Sequence, residues 1–563
     1  MSDRDLMQES RTVTSGTPNG ELRLGRWEPA VQARLERWEA QGFGRRLWAK
    51  DHTVWSETPV PELTDRLGWL KLPESMRTQA EDLARFAQEI RSEGFRDAIV
   101  LGMGGSSLAP EVYARTFGSA SGYPELSVLD STHPEAVRAL AGRLDPTKTL
   151  FLVSSKSGST TEMMSFFYTF WQWVGESLAS TSSAGRRFAA ITDPGSGLEK
   201  LAKERGFRAV FNAQEDVGGR YSALTPFGLV PAALIGADVR EILVRGRAMA
   251  EACTGPAASN PGLQLGAALG ELALAGRDKV TFLASRGIES FPDWIEQLIA
   301  ESTGKIGRGI VPVVGERPAE PGAYGDDRFF VGLFLGEDRN LDQRLSALES
   351  AGHPVARFRL NEPADLGREM FRWEMATAAA GAVLGVNPFD QPDVQLAKEL
   401  AKRAMQERSS AAGPADEVRV EDRAALGSAL EHWLAGAGPG TYLGLHAYLA
   451  PTPGTTEALH EIQARLRDRT RFATTLGYGP RFLHSTGQLH KGGPDTGRFL
   501  QIVDEPGHDL PVPETDYTFG ELVRAQADGD RKALEQRGRR VMRVNLGSDL
   551  HGGLARLREA LGG

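Results

Sequence analysis

The chain has 563 residues, 40% of them hydrophobic and 25% charged, with a net charge of −9 and a single cysteine, Cys253. That length exceeds one ordinary core and suggests about two to four domains. The acidic balance argues against broad nucleic-acid binding, which needs a basic surface, but leaves room for one small anionic ligand at a local positive site; the lone cysteine excludes an intrachain disulfide framework and Cys-rich metal centres.

The first residues, Met1-Ser2-Asp3-Arg4-Asp5, are polar and carry no apolar signal core. No stretch approaches the ~20 apolar residues that span a bilayer. A cytoplasmic protein without a membrane partner is expected. Residues 1–60 are polar with scattered tryptophans (Trp27, Trp38, Trp48, Trp55) and read as a helical arm on a larger body.

Beyond the arm, short apolar runs alternate with longer helical ones. Strands are expected at Ala98–Leu101, Leu126–Leu129, Thr149–Val153, Phe188–Ile191 and Ala209–Phe211, with helices at Met76–Arg91 and Thr161–Leu178. Such alternation signals a parallel sheet covered on both faces. It restarts with strands at Val280–Ala284, Phe329–Leu335, Val355–Leu360 and Tyr442–Leu449 and helices at Leu263–Leu274, Trp294–Thr303 and Met370–Leu384. The fold class is therefore α/β, with two domains: 61–250, and 251–563 including a C-terminal extension. Gly and Pro cluster at Thr254-Gly255-Pro256 and Asn260-Pro261-Gly262, where a linker fits. Gln406–Glu421 reads as a surface loop. The chain closes with a strand-like Arg540–Leu546 and a helix, Leu554–Leu561.

Two loops carry the first chemistry. Gly102-Met103-Gly104-Gly105-Ser106-Ser107 follows one strand and precedes a helix. Glycines let the backbone turn tightly and approach a ligand, and the helix amides suit an anion. It is not the dinucleotide fingerprint, because Ser107 occupies the third glycine's place. Ser154-Ser155-Lys156-Ser157-Gly158-Ser159-Thr160-Thr161-Glu162 follows the strand Thr149–Val153 and places six hydroxyls within eight residues at its carboxyl end, where open α/β sheets bind ligands. Capping alone needs one or two hydroxyls, so a phosphate monoester is the better match.

These two segments resemble the phosphosugar-binding sugar isomerase (SIS) domain family, whose fold is a parallel five-stranded sheet between helices. The resemblance implies that Gly105, Ser106, Ser155, Lys156, Ser157 and Thr160 bind the substrate phosphate. Three further segments, Val217-Gly218-Gly219-Arg220-Tyr221-Ser222, Glu301-Ser302-Thr303-Gly304-Lys305 and Asn387-Pro388-Phe389-Asp390-Gln391-Pro392-Asp393-Val394-Gln395-Leu396-Ala397-Lys398, resemble in order and wording those of the glucose-6-phosphate isomerase family. The likeness runs from about residue 100 to 400.

Aldose–ketose isomerisation moves a proton from C2 to C1 through a cis-enediol, and one carboxylate of suitable pKa can shuttle it. By resemblance Glu301 is that base. A fixed cation near the developing oxyanion lowers the barrier; Arg220 fits, helped by the Gly219 amide. Gln297, one turn before Glu301, and Gln391 match substrate contacts of the family. Taken singly, Glu301, Arg220 and Lys398 read as surface charges; only the likeness brings them together.

Ring opening departs from the family pattern. The family's histidine follows the glutamate segment, but here that stretch, Glu320–Phe329, has none, and Asp327 takes its place. A later segment, His484-Ser485-Thr486-Gly487-Gln488-Leu489-His490-Lys491-Gly492-Gly493, carries the histidine with a glutamine four residues on. That order resembles the isomerase half of transaldolase–glucose-6-phosphate isomerase fusion proteins, as does Arg46-Leu47-Trp48-Ala49-Lys50-Asp51. His484 is expected to act at the ring oxygen with Lys398 as helper, and His490 and Asp327 are the alternatives. In the family this histidine reaches in from the neighbouring subunit, which implies a homodimer with shared sites.

No metal or other cofactor is called for: His-Glu-x-x-His is absent, as is a Gly-x-Ser-x-Gly elbow. The resemblance implies conversion of glucose 6-phosphate to fructose 6-phosphate. A bifunctional phosphoglucose/phosphomannose isomerase and a non-catalytic phosphosugar sensor are the rival readings.

Overall fold

Three five-stranded sheets organise the chain, whose computed structural model describes residues 20–178, 181–406 and 417–561. Residues 1–19 of the expected arm and most of the Gln406–Glu421 loop lie outside the described residues. The strands are β1 (Gly20–Arg23), β2 (Asp97–Leu101), β3 (Glu125–Leu129), β4 (Thr149–Ser154), β5 (Phe188–Thr192), β6 (Ala209–Asn212), β7 (Lys279–Ala284), β8 (Val311–Val313), β9 (Arg328–Leu335), β10 (Val355–Leu360), β11 (Val418–Arg419), β12 (Tyr442–Tyr448), β13 (Ala473–Tyr478), β14 (Gly497–Val503) and β15 (Arg540–Asn545).

The first sheet runs β3-β2-β4-β5-β6, all parallel. Every residue of β4 and β5 is buried, as expected of strands covered on both faces. Strand order reverses between β2 and β4, so the loops leaving these two strands straddle the crevice where parallel sheets bind ligands. Those loops are the glycine and hydroxyl segments.

The second sheet runs β1-β10-β9-β7-β8, with β1 antiparallel at the edge. The arm thus contributes a strand as well as helices. Its tryptophans fasten it: the Trp48 indole donates to the Cys253 carbonyl (2.9 Å) and that of Trp55 to the Ala378 carbonyl (2.8 Å). The Gly/Pro-rich stretch at 254–262 is partly exposed but anchored at its end. Buried Asn260 caps the Pro261–Leu274 helix through the Leu263 amide (3.0 Å) and donates back to the Cys253 carbonyl.

The segment read as an extension of the second domain builds its own parallel sheet, β11-β15-β14-β12-β13. This third unit lies over the carboxyl edge of the first sheet. Thr132 donates to Gln526 (2.7 Å), His133 faces Asp504 (3.2 Å) and Ser165 meets the Tyr517 hydroxyl (3.0 Å). Val512, Phe519 and Leu522 complete the apolar layer on that side. A buried bridge joins it to the second sheet: Glu316 pairs with Arg328 (3.0 Å) and accepts from Thr474 (2.7 Å).

Candidate active site

Five segments from all three sheet units converge beside the β2–β4 crevice. The hydroxyl turn after β4 is organised internally. Ser155 Oγ and Thr160 Oγ1 lie 3.0 Å apart, Gly158 N donates to Ser155 Oγ (3.1 Å), and Ser157 Oγ meets Ser159 Oγ at 3.0 Å. The Lys156 ammonium points away from this ring, to Asp193 (2.6 Å) and the Glu215 carbonyl (3.2 Å). Ser106 accepts at its carbonyl from Ser154 Oγ (3.3 Å).

The glycines of the β2 loop serve packing between loops. Gly104 has φ +55°, and a Cβ there would lie 2.6 Å from the His484 carbonyl; one on Gly105 would lie 2.0 Å from the Gly219 carbonyl. A side chain at either place would push the three loops apart.

Glu301 lies in the last turn of the Phe291–Thr303 helix, which begins with Pro292 in its first turn. Pro suits that position because it lacks the unused amide hydrogen. The side chain of Glu301 is 6% exposed and that of Arg220 3%, with Arg220 Nη1 3.5 Å from Glu301 Oε2. Arg220 is fixed by donating to Ser302 Oγ (2.8 Å) and the carbonyls of Pro388 (2.8 Å) and Asp390 (3.0 Å). Desolvation raises the pKa of Glu301, opposed first by Arg220 and then by His484, Lys398 and Lys305. Its place at the negative end of the helix acts in the same raising direction. Lys305, paired with Asp390 (2.8 Å), is pushed down to about 7 by desolvation.

Gln297 is one turn earlier on the same face. Its amide donates to the His484 carbonyl (2.8 Å) and lies 3.5 Å from Glu301 Oε2, while its oxygen is buried without a partner. His484 Nε2 lies 3.1 Å from Glu162 Oε1, which also accepts from Gln526 Nε2 (2.7 Å). Desolvation tends to raise Glu162, yet its pKa is lowered, with His484 the chief cause and Lys398 a lesser one. A continuous path therefore runs from the hydroxyl turn through Glu162, His484, Gln297 and Glu301 to Arg220.

A cavity of about 1400 Å³ opens against Thr160, Glu162, Lys398, His484, Tyr517 and Gln526. Glu301, Arg220 and Gln297 are not among its walls; Gln297 reaches toward it through its bond to the carbonyl of His484, which is. Lys398 reaches this cavity from the Val394–Gln406 helix, and its charge lowers both Glu162 and Glu301. Gln391 is exposed, one residue past the Asp390 carbonyl that Arg220 grips.

Of the three ring-opening candidates, only His484 meets these residues. Asp327 sits at the start of β9, at the opposite end of the second sheet, against Lys279 (3.7 Å). His490 turns into the third unit, its Nδ1 3.0 Å from the Tyr442 hydroxyl and its ring against His446 and Phe499. His484 arrives from its own chain, so the geometry does not call on a neighbouring subunit for it. Glu162, though part of the hydroxyl motif, carries no separate expectation; its place after two threonines was the available signal. Gln526 lies mid-helix in Phe519–Gln536, where nothing in the sequence marks it.

Known proteins resemble much of this chain. Residues 74–311 match the family model described as phosphoglucose isomerase. A glucose-6-phosphate isomerase of Rubrobacter xylanophilus is 31% identical over 391 residues, which cover 61% of this chain and 90% of that protein. Another, of Thermus thermophilus, is 30% identical over 382 residues, covering 60% and 90%. Among solved structures, a hypothetical protein of Thermus thermophilus superposes with a TM-score of 0.60 at 27% identity, over 69% of this chain and 99% of its own. A glucose-6-phosphate isomerase of Chlamydia trachomatis gives 0.55 over 68% and 87%, at 19% identity, a likeness of fold alone. Relatives matched over nine-tenths of their length at this identity place the chain in the glucose-6-phosphate isomerase family.

Proposed function

We propose that this chain is an aldose–ketose isomerase that interconverts glucose 6-phosphate and fructose 6-phosphate through a cis-enediol. The observation that carries the reading is the sealed pair of Glu301 and Arg220, 3.5 Å apart and linked through Gln297 to His484. A carboxylate with a raised pKa is suited to take and return a carbon-bound proton near neutrality, and an adjacent guanidinium stabilises the oxyanion that forms.

In this mechanism Ser155, Thr160, Ser157 and Ser106, with the amide of Gly105, hold the phosphate. Lys156, occupied by Asp193 and two carbonyls, contributes charge rather than a direct hydrogen bond. His484, oriented by Glu162, moves the proton between the ring oxygen and O1, and Lys398 assists from the cavity wall. Glu301 then carries the proton between C2 and C1 while Arg220 and the Gly219 amide face the developing charge. Gln297 and Gln391 orient the sugar hydroxyls.

The family likeness implied a dimer with shared sites. Because His484 comes from the third unit of the same chain, each chain is proposed to hold a complete constellation, with or without a partner. A cytoplasmic setting fits the lone buried Cys253. Coupled assays with glucose 6-phosphate and mannose 6-phosphate test the reading. Turnover of the glucose epimer is expected to exceed that of the mannose epimer. Equal rates would point to the bifunctional reading, and no turnover of either would overturn the isomerase assignment.

A further inference from the structure

His484 ends a single 3-10 turn, Arg481–His484, in the third unit. With three residues per turn, side chains at i and i+3 fall on one side. The turn's first residue, Arg481, and its last, His484, therefore face the first sheet unit together. Arg481 is clasped there by three carboxylates from three separate elements. Its guanidinium is 2.5 Å from Glu111 Oε2, 2.9 Å from Asp130 Oδ2 and 3.9 Å from Asp293 Oδ2.

Two of those elements adjoin the site. Glu111 is on the helix that follows the glycine loop, Asp130 follows β3, and Asp293 is in the first turn of the helix carrying Gln297 and Glu301. Desolvation raises Asp130, and Asp293 to about 6, and in both cases Arg481 is the strongest opposing charge. Elsewhere Phe482 packs against His446 and Tyr448, Gln297 donates to the His484 carbonyl, and the imidazole itself meets Glu162 at 3.1 Å. Glu162 sets the direction of the imidazole, while the Arg481 clasp adds three ion pairs that tie the turn carrying it to the facing elements.

We propose that Arg481 is a positioning residue for ring opening: its clasp on Glu111, Asp130 and Asp293 sets the depth at which the third unit presents His484 to the sugar. This rests on the ring-opening role given to His484. Displacement of a reacting group by about 1 Å can cost up to ~10²-fold in rate. Loosening the clasp should therefore lower kcat more than it raises KM, because the hydroxyl turn proposed to grip the phosphate is braced by its own bonds.

The test is a double-variant cycle on the full chain. Arg481→Gln is expected to lower kcat on glucose 6-phosphate about 10- to 100-fold, with KM and the affinity for a five-carbon enediolate mimic within about 3-fold. Arg481→Lys should recover most of the loss. Combined with His484→Ala, Arg481→Gln should add little to the loss that His484→Ala causes alone. Should Arg481→Gln not fold, Asp130→Asn, which keeps the side-chain shape, should give a smaller loss of the same kcat-selective kind. Multiplying losses in the double variant, or a mimic affinity that falls with kcat, would overturn the clasp. A His484→Ala variant as fast as the parent would overturn the ring-opening role itself and the clasp with it, a result distinguishable from the others.

Discussion

Replacing Arg220 with methionine keeps the side-chain bulk and removes the cation. Arg220 is buried and donates to Ser302 Oγ and to the carbonyls of Pro388 and Asp390. Ser302 Oγ keeps the Tyr221 hydroxyl at 3.4 Å, but the two carbonyls lose their donor at about 1 kcal/mol or more each. A destabilisation of roughly 2 kcal/mol should appear as a lower denaturant midpoint. The catalytic loss has a separate source: removing one preorganised partner of the developing oxyanion costs about 10²–10³ in kcat. The pH profile supplies a third readout. Glu301 must be ionised to act as the base, and its pKa is already raised by desolvation, so kcat/KM is full above that raised value and lost as pH falls through it. Arg220 is the largest opposing influence, and its removal must move the acid limb toward higher pH. A coupled assay across pH, with affinity for the enediolate mimic measured alongside, reads all three. Turnover within 10-fold of the parent, or an acid limb that stays put, would refute the role given to this guanidinium.

Glu301→Gln should cut kcat by about 10²–10⁴ while leaving sugar-phosphate binding largely intact and stability unchanged or improved, since a desolvated carboxylate is removed; binding that falls in step with kcat would count against it as the base. Ser155→Ala with Thr160→Ala should act chiefly on KM, as read by steady-state kinetics, and an unchanged KM would make the hydroxyl ring a turn brace only. Gly105→Ala drives a Cβ into the Gly219 carbonyl at 2.0 Å. A loss of about 1–3 kcal/mol in a denaturant melt, as for other overpacked positions, should accompany reduced turnover.

The first sheet was legible because its central strands are continuous apolar runs, and the crevice because glycine and hydroxyl loops follow β2 and β4 directly. The third sheet was legible only in part. Its strands hide polar residues whose partners are buried with them: Arg543 Nε donates to Gln501 Oε1 (2.6 Å), Gln501 Nε2 to the Ala527 carbonyl (2.9 Å), and Thr474, on the edge strand β13, to Glu316. Periodicity sees such positions as solvent-facing, although the pairs are buried. Because it falls where the family's histidine stands in sequence, Asp327 was offered for ring opening. That residue is consumed by the Lys279 pair, and the histidine that meets the site comes from a different unit of the chain, a proximity that spacing cannot encode. Lys156, a member of the hydroxyl motif, is drawn off by Asp193 across a neighbouring loop, again a contact without a local signal.

The account turns on one carboxylate carrying a proton between adjacent carbons. Glucose 6-phosphate deuterated at C2, converted in ordinary water and analysed by NMR at C1 of the fructose 6-phosphate, tests this directly. Part of the label should arrive at C1 and part should be lost to solvent, and both processes should vanish in Glu301→Gln. Transfer or exchange undiminished in Glu301→Gln would contradict it.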